Sequence, residues 1–217
     1  MINLANEHPV LLDLLNRLGE SDIVYDIGAA AGLYTCLCAD LLSSERVVAF
    51  EPSPQAREVL NRNLHRNGLL GLPVYSYALS DEDGTMAFEP IKGQLRTERC
   101  EAGGDLIEVR TIGGDELISS EQLEAPTVIK IDVEEAELAV ICGLQETLLR
   151  SACRLIYCEV HPDDLPEFEA DGAIVVQTLQ EIGFSVEYIN EMETVDAQYG
   201  GESRDNLQIA SVGRNWG

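Results

Sequence analysis

The sequence predicts an α/β domain, with a mostly parallel sheet covered by helices on both faces. Three observations predict it. Short apolar runs alternate with segments of helical period along most of the chain. Glycines stand where several of the helical segments stop, at Gly19, Gly68 and Gly183. The 217 residues, 45% of them hydrophobic, suffice for one domain with a full core and are too few for two comfortable ones. We therefore expect a single domain over residues 1–217.

The elements follow in order. Residues 8–18 read as an amphipathic helix, with Val10, Leu11, Leu14, Leu15 and Leu18 at helical spacing, inside an N-terminal segment of about 20 residues. Ile23–Ile27 is a first strand and Leu33–Leu42 a helix. "RVVAFE", 46–51, is a buried second strand, and Gln55–Asn67 a helix closed by Gly68. "PVYSYALS", 73–80, is a third strand and "TVIKIDV", 127–133, a fourth. Glu134–Leu149 is a helix with Ala136, Leu138, Val140, Ile141, Leu144 and Leu148 on its apolar face. "RLIYCEV", 154–160, is a fifth strand, and Ala173–Ile182 a helix. "FSVEYI" and "NLQIASVG" finish as strands with no strong helix signal between them, which predicts an antiparallel edge pair. Residues 81–126 break the rhythm. They carry the Asp83-Gly84 turn signal, a short strand at "LIEVRTI" and a charged, glycine-rich stretch between, and so read as a hairpin excursion with a mobile tip.

Net charge is −25, from 39 acids against 14 basic residues, and the isoelectric point is about 4.2. Lysine occurs only at Lys92 and Lys130. The acids are spread along the chain, so the charge is a surface property. Such a surface repels itself at low ionic strength and salt relieves it. We read it as adaptation to molar salt, an ordinary acidic enzyme being the alternative. No basic patch is visible, which excludes nucleic acid as partner. No run approaches the ~20 apolar residues of a membrane span. No basic stretch precedes the first apolar segment, so no signal peptide is expected and a cytoplasmic location is. The six cysteines include no CxxC and read as buried hydrophobes of a reducing compartment. Oligomeric state has no sequence signal; no dimerisation arm is expected after the last strand.

Chemistry concentrates at "VYDIGAAAGLY", Val24 to Tyr34, a strand, a small-residue loop and a helix. Parallel sheets bind ligands beyond the carboxyl ends of their strands. Strand one ends at Asp26-Ile27-Gly28 and strand two at Phe50-Glu51, which places both ends at one crevice. Gly28 and Gly32 permit tight turning and close approach of a ligand to backbone. The loop lacks the Gly-Lys-Ser/Thr of a P-loop. It also lacks the middle glycine of a G-x-G-x-x-G dinucleotide site. Asp26 at the loop mouth faces a pyrophosphate unfavourably but suits the cationic ammonium and sulfonium of S-adenosylmethionine. Glu51 suits two ribose hydroxyls, since a carboxylate accepts from both, although it would serve the ribose of NAD equally. The alternative for Asp26 is an acid stabilised by the helix N-terminus.

"VYDIGAAAGLYT", "VVAFEPSPQAREVLNRNLHRNGL", "YALSDEDGTMAF", "VIKIDVEEAELAVICGL" and "LIYCEVHP" together resemble, in order, the blocks of the FkbM-type S-adenosylmethionine-dependent methyltransferases. The resemblance spans roughly residues 22–190. It implies a Rossmann-like, seven-stranded class I methyltransferase sheet with its last strand antiparallel. It implies that Asp26, Gly28 and Gly32 frame the methionine part of the cofactor and that Glu51 holds the ribose. Pro52 and Ser53 would flank ribose and adenine. Ala78, Leu79, Ser80 and Asp81 would lie against adenine, with Ser80 or Asp81 near its amino group. It also implies O-methylation of a small hydroxylated acceptor such as a sugar, glycan or secondary metabolite. Two positions depart from the family pattern. Ala30 stands where the loop usually has asparagine, and Glu135 where glycine usually follows KIDVE. They leave open a cofactor-binding module without turnover; a nicotinamide-dependent oxidoreductase is a further alternative, against which Asp26 speaks.

Methyl transfer needs the acceptor atom held roughly 3–3.5 Å from the methyl, in line with sulfur, and a group to deal with the acceptor's proton. The candidates are Asp132, Glu134, Glu159, His161 and Lys130. Asp132 ends strand four and either accepts a proton or caps the next helix. Glu134 suits either role. Lys130 lies inside an apolar strand, where an ammonium needs partners. Pairing with Asp26 or Glu159 would make it a brace or an active-site cation. His161 is a general base by residue type, or a loop histidine beside Pro162. Asp132, Glu159 and His161 suit a divalent ion, but no spacing demands one, and we expect no metal. Lys92, Arg96 and Arg99 gather cations in the 89–104 tip, which is either a lid over the acceptor or a solvated loop.

Overall fold

The computed structural model describes residues 4–90, 94–96, 106–134, 136–150, 153–160, 168–190 and 207–214. The main sheet has seven strands: β1 (Val24–Ile27), β2 (Val47–Phe50), β3 (Val74–Tyr75), β8 (Val128–Ile131), β9 (Leu155–Val160), β10 (Phe184–Asn190) and β11 (Leu207–Arg214). Their order is β10-β11-β9-β8-β1-β2-β3. β11 alone runs antiparallel to its neighbours, β9 and β10. The expected edge pair therefore forms, with β10 outermost and the last strand inserted beside β9. β1, β2 and β8 are buried along their whole length, as apolar strands covered on both faces are.

One face packs Tyr25, Ile27, Phe50, Ile129, Ile131 and Ile156 under α5 (Glu137–Gly143) and α7 (Phe168–Ile182). The other packs Val24, Ala49, Val128, Leu155 and Tyr157 under α1 (Leu4–Arg17), α2 (Leu33–Leu41) and α3 (Pro54–Arg66). The sequence supports the N-terminal end of α3. Ser53 is its N-cap, its Oγ accepting from the Ala56 N–H at 3.3 Å, and Pro54 opens the first turn. At the amino end of the sheet Asp22 ties three segments together: its carboxylate accepts from Gly19 N–H and from Thr127 Oγ1, both at 2.7 Å, and pairs with Arg154.

Four expectations are corrected. The third strand, read as 73–80, is two strands. Its first part is β3 of the main sheet, while β4 (Ala78–Ser80) joins a separate four-stranded sheet of order β4-β7-β5-β6. The excursion is not a bare hairpin: it supplies β5 (Gly84–Glu89), β6 (Gln94–Arg96), β7 (Ile107–Gly113) and a helix, α4 (Gly114–Ser120), to this second layer. Lys92 and Arg99 of its tip lie outside the described residues. The helix read over 134–149 is two, α5 and α6 (Gln145–Arg150), with the break at Leu144. Gly143 ends α5 against β4, where an added Cβ would lie 1.8 Å from the Ser80 carbonyl oxygen. That close approach requires glycine at this position. Finally, α1 starts at Leu4 and α7 at Phe168, each one turn or more earlier than their apolar periodicity indicates. Of the cysteines, Cys38, Cys153 and Cys158 are buried as expected, but Cys142 is exposed.

Candidate active site

The chain leaves β1 for α2 on one side of the sheet and enters β8 on the other, so the carboxyl ends of β1, β2 and β8 flank the switch point. A cleft opens there. It is lined by Ile27 and Gly28 from β1, Phe50 and Pro52 from β2, Ala78 and Leu79 from β4, and Val133 and Glu134 beyond β8. Tyr77 and Phe88 complete its wall. Sequence reasoning missed these two aromatics. Tyr77 continues a ladder of rings: Phe50 and Tyr75 stack at 5.6 Å, Tyr75 and Tyr77 at 6.3 Å, and Arg110 stands 5.0 Å above the Tyr77 ring. Alternate aromatics at 75 and 77 are the signal that was available.

Glu51 fastens the edge of this cleft. It is buried, and both of its oxygens are held by backbone: Oε2 accepts from Ala30 N–H and Oε1 from Ser53 N–H, each at 2.8 Å. Burial pushes its carboxyl up, against the two N–H groups and the Arg57 guanidinium, which draw it down. Each oxygen keeps acceptor capacity for a further donor. Ala30 itself is exposed and left-handed, at φ 48°, a conformation that asparagine tolerates better than alanine. Ser80 is buried and its Oγ donates to Asp81 Oδ1 at 3.1 Å, while Asp81 is exposed at the end of β4.

The two loop glycines serve the protein's own packing. At Gly28, φ is +81° and a Cβ would lie 1.9 Å from the Asp132 carbonyl oxygen. At Gly32 a Cβ would lie 2.2 Å from Leu60 of α3. The close approach expected for a ligand is thus, at both positions, an approach of protein to protein. It locks the loop to β8 and α3.

A second group of polar side chains stands on the α1/α2 face of the same strand ends. Asp26 is fully buried; its Oδ2 accepts from Thr35 Oγ1 of α2, and Oδ1 has no partner among the described residues. Burial raises its carboxyl, against the Lys130 charge and the Thr35 hydroxyl; the Asp132 charge adds to the rise. Lys130 lies opposite Asp26 in the ladder. Its Nζ pairs with Asp132 Oδ2 at 2.6 Å and sits 4.4 Å from the Tyr34 ring centroid. Lys130 thus forms an ion pair with Asp132, two residues along its own strand end, and its charge also acts on Asp26, the first of its two expected partners. Glu159 lies on this face too, lining with Lys130, Tyr34, Tyr157 and Val10 a second, smaller cavity. His161 and Glu135 lie outside the described residues. Among the described residues no group of three His, Cys, Asp or Glu side chains is arranged to hold a metal.

A seven-stranded sheet of order β10-β11-β9-β8-β1-β2-β3, its last strand inserted antiparallel beside β9, is the class I methyltransferase fold. Solved structures agree. FkbM methyltransferase from Methylobacillus flagellatus superposes with a TM-score of 0.60 at 16% identity, covering 90% of this chain and 44% of that one. SMU.1697c of Streptococcus mutans, solved in complex with SAH, gives 0.58 at 10% identity, covering 98% and 99%. The chain matches the methyltransferase FkbM domain over residues 26–186 and belongs to that family. Hexuronic acid methyltransferase AglP of Haloferax volcanii is 32% identical over 160 residues, 73% of this chain and 64% of AglP. The match thus spans just under two thirds of that relative. The 2-O-methyltransferase NoeI of Sinorhizobium fredii is 26% identical over 178 residues, 74% of this chain and 71% of NoeI. Membership of this methyltransferase family supports S-adenosylmethionine as cofactor.

Proposed function

We propose that this chain is an S-adenosylmethionine-dependent O-methyltransferase whose acceptor is a small hydroxylated molecule of the sugar or sugar-acid class. The observation that carries the reading is the cleft at the switch point, with Glu51 fixed at its edge by two backbone N–H groups. The residues fit the cofactor chemically. Tyr77, Phe88 and Leu79 offer an apolar wall for a purine, and Glu51 retains lone pairs for ribose hydroxyls. The unpartnered Oδ1 of buried Asp26 is an acceptor awaiting a cationic N–H donor, such as an amino-acid ammonium. When bound, S-adenosylmethionine supplies an electrophilic methyl group on a positively charged sulfur.

The chain's own residues do the rest. Glu51, Pro52 and Ser53 orient the nucleoside end, and Ala78 to Asp81 form its floor. Asp132 and Glu134 project from the loop after β8, where the acceptor arrives, and Asp132 takes its proton. The acceptor class rests on AglP and NoeI, which are named for hexuronic acid and for 2-O-methylation. The charge of −25 fits a protein that works in concentrated salt inside the cell. The test is transfer of tritiated methyl from S-adenosylmethionine to glucuronic acid, with glucose for comparison, in molar KCl. Label on a hydroxyl oxygen supports the reading. A chain that binds S-adenosylhomocysteine yet labels no acceptor is the non-catalytic module instead.

A further inference from the structure

Lys130 is one of two lysines in a chain with 39 acids, and it is buried in the middle of the sheet. An ammonium at such a place costs several kcal/mol unless it is paired. Its side chain is 4% exposed, while that of its partner Asp132 is 29% exposed. The pair therefore runs from the core outward, with its carboxylate end the more exposed. Asp26 lies opposite in the ladder and its carboxyl is drawn down by the Lys130 charge. The ammonium also makes a close ion pair with the carboxylate at the strand end. Asp132 also stands at a partition. Val133 and Glu134, which follow it, line the nucleoside cleft, and Lys130 and Ile131, which precede it, line the second cavity. Carboxylates from several elements meet in this region: Asp26 of β1 feels the Lys130 and Asp132 charges, and the neutral Cys158 thiol of β9 feels those two together with Glu137 of α5 and Glu159 of β9. Lys130 is a cation set among them.

We propose that Lys130 is a positioning residue for the transfer, a role that rests on the O-methyltransferase reading above. Its ammonium, steadied by the Tyr34 ring, fixes the Asp132 carboxylate between the two cavities. As the acceptor oxygen forms its new bond to the methyl carbon, the carbon–sulfur bond would break with its electron pair left on sulfur, giving S-adenosylhomocysteine as the leaving group; the O–H bond breaks with its pair staying on oxygen, and the proton goes to Asp132. Asp132 releases that proton to solvent before the next turnover.

Two experiments test this. With only two lysines, ¹⁵N-lysine labelling gives two ammonium signals, and Lys92→Arg assigns them. Asp132→Asn is expected to shift the Lys130 signal and speed its proton exchange; an unmoved signal overturns the pairing. In the second, methyl transfer to glucuronic acid is compared in wild type, Lys130→Gln, Lys130→Arg, Asp132→Asn and the Lys130→Gln/Asp132→Asn double variant. Asp132→Asn is expected to lower kcat roughly 10²-fold, as loss of a general base does. Lys130→Gln is expected to lower kcat roughly 10-fold with KM for S-adenosylmethionine unchanged, Lys130→Arg to restore part of it, and the double variant to be no worse than Asp132→Asn. Should Lys130→Gln fail to fold, Lys130→Arg alone and on the Asp132→Asn background supplies the same comparison. Additive losses, or an effect confined to KM, overturn the positioning role while leaving the O-methyltransferase reading intact. A wild-type chain that binds S-adenosylhomocysteine but methylates nothing overturns both.

Discussion

Gly28→Ala perturbs the junction on which the site depends. The position has φ +81°, where alanine costs about 1–2 kcal/mol relative to glycine. The new Cβ would also lie 1.9 Å from the Asp132 carbonyl oxygen and 2.8 Å from its carbon. Both are backbone atoms, so no side chain can swing aside, and either the loop after β1 or the loop after β8 must move. Overpacking of that kind adds about 1–3 kcal/mol. The expected total is roughly 2–5 kcal/mol, or a fall in Tm of about 10 °C for a domain of this size. Gly68→Ala is the matched control. Its φ is +72°, but nothing lies within 4 Å of the added Cβ, so only the conformational cost of about 1 kcal/mol applies. Thermal melts in molar KCl give the stabilities, and calorimetric titration with S-adenosylhomocysteine gives the second consequence, weaker binding in Gly28→Ala alone. If the two variants melt together and bind equally well, the junction is not what holds the loop.

Three further outcomes follow from the same geometry. Burial raises the Asp26 carboxyl above its ordinary value, so the folded chain takes up this proton more readily than the unfolded one. Its contribution to stability is full below the unfolded pKa of about 3.8 and is lost as pH rises through the folded value; Asp26→Asn should therefore melt higher than wild type at neutral pH without ligand, yet bind S-adenosylhomocysteine more weakly. Glu51→Gln turns one acceptor into a donor facing a backbone N–H, and should weaken S-adenosylhomocysteine binding roughly 10- to 100-fold by calorimetry, the worth of a hydrogen bond to a charged group. Raising KCl from about 0.1 M to about 1 M shortens the screening length from ~10 Å to ~3 Å, so Tm should climb steeply with salt; a flat profile would mean that the −25 charge is borne without salt.

Much of this site is legible in the sequence because its landmarks are strand ends. Asp26 and Glu51 close apolar runs, and run ends are where a parallel sheet presents side chains to a ligand. What could not be read depends on contacts between distant segments. α5 ends at Gly143, which packs against Ser80 of another segment, while the apolar periodicity of 134–149 runs straight through the break. The run 73–80 is uniformly strand-like, yet its halves belong to different sheets, since β4 pairs with β7 more than 25 residues on. α4 was hidden by its Gly-Gly start and its length of seven residues. Lys130 was noticed for its rarity, but its partner is decided by side-chain direction at the strand end, which period-two alternation does not specify. The departures at Ala30 and Glu135 could be located but not weighed. At Ala30 the backbone N–H, which any residue there but proline would supply, makes the contact with Glu51.

The measurement that bears most directly on the central claim is calorimetric titration of the folded chain in molar KCl with S-adenosylhomocysteine and, separately, with NAD. Glu51 suits the ribose of either, so the comparison rests on the loop mouth, where Asp26 favours a cationic amino-acid end over a pyrophosphate. The account predicts saturable binding of S-adenosylhomocysteine at one site per chain, loss of that binding in Glu51→Ala, and none for NAD. Binding of NAD in preference, or no binding of S-adenosylhomocysteine by a chain that melts cooperatively, would contradict it.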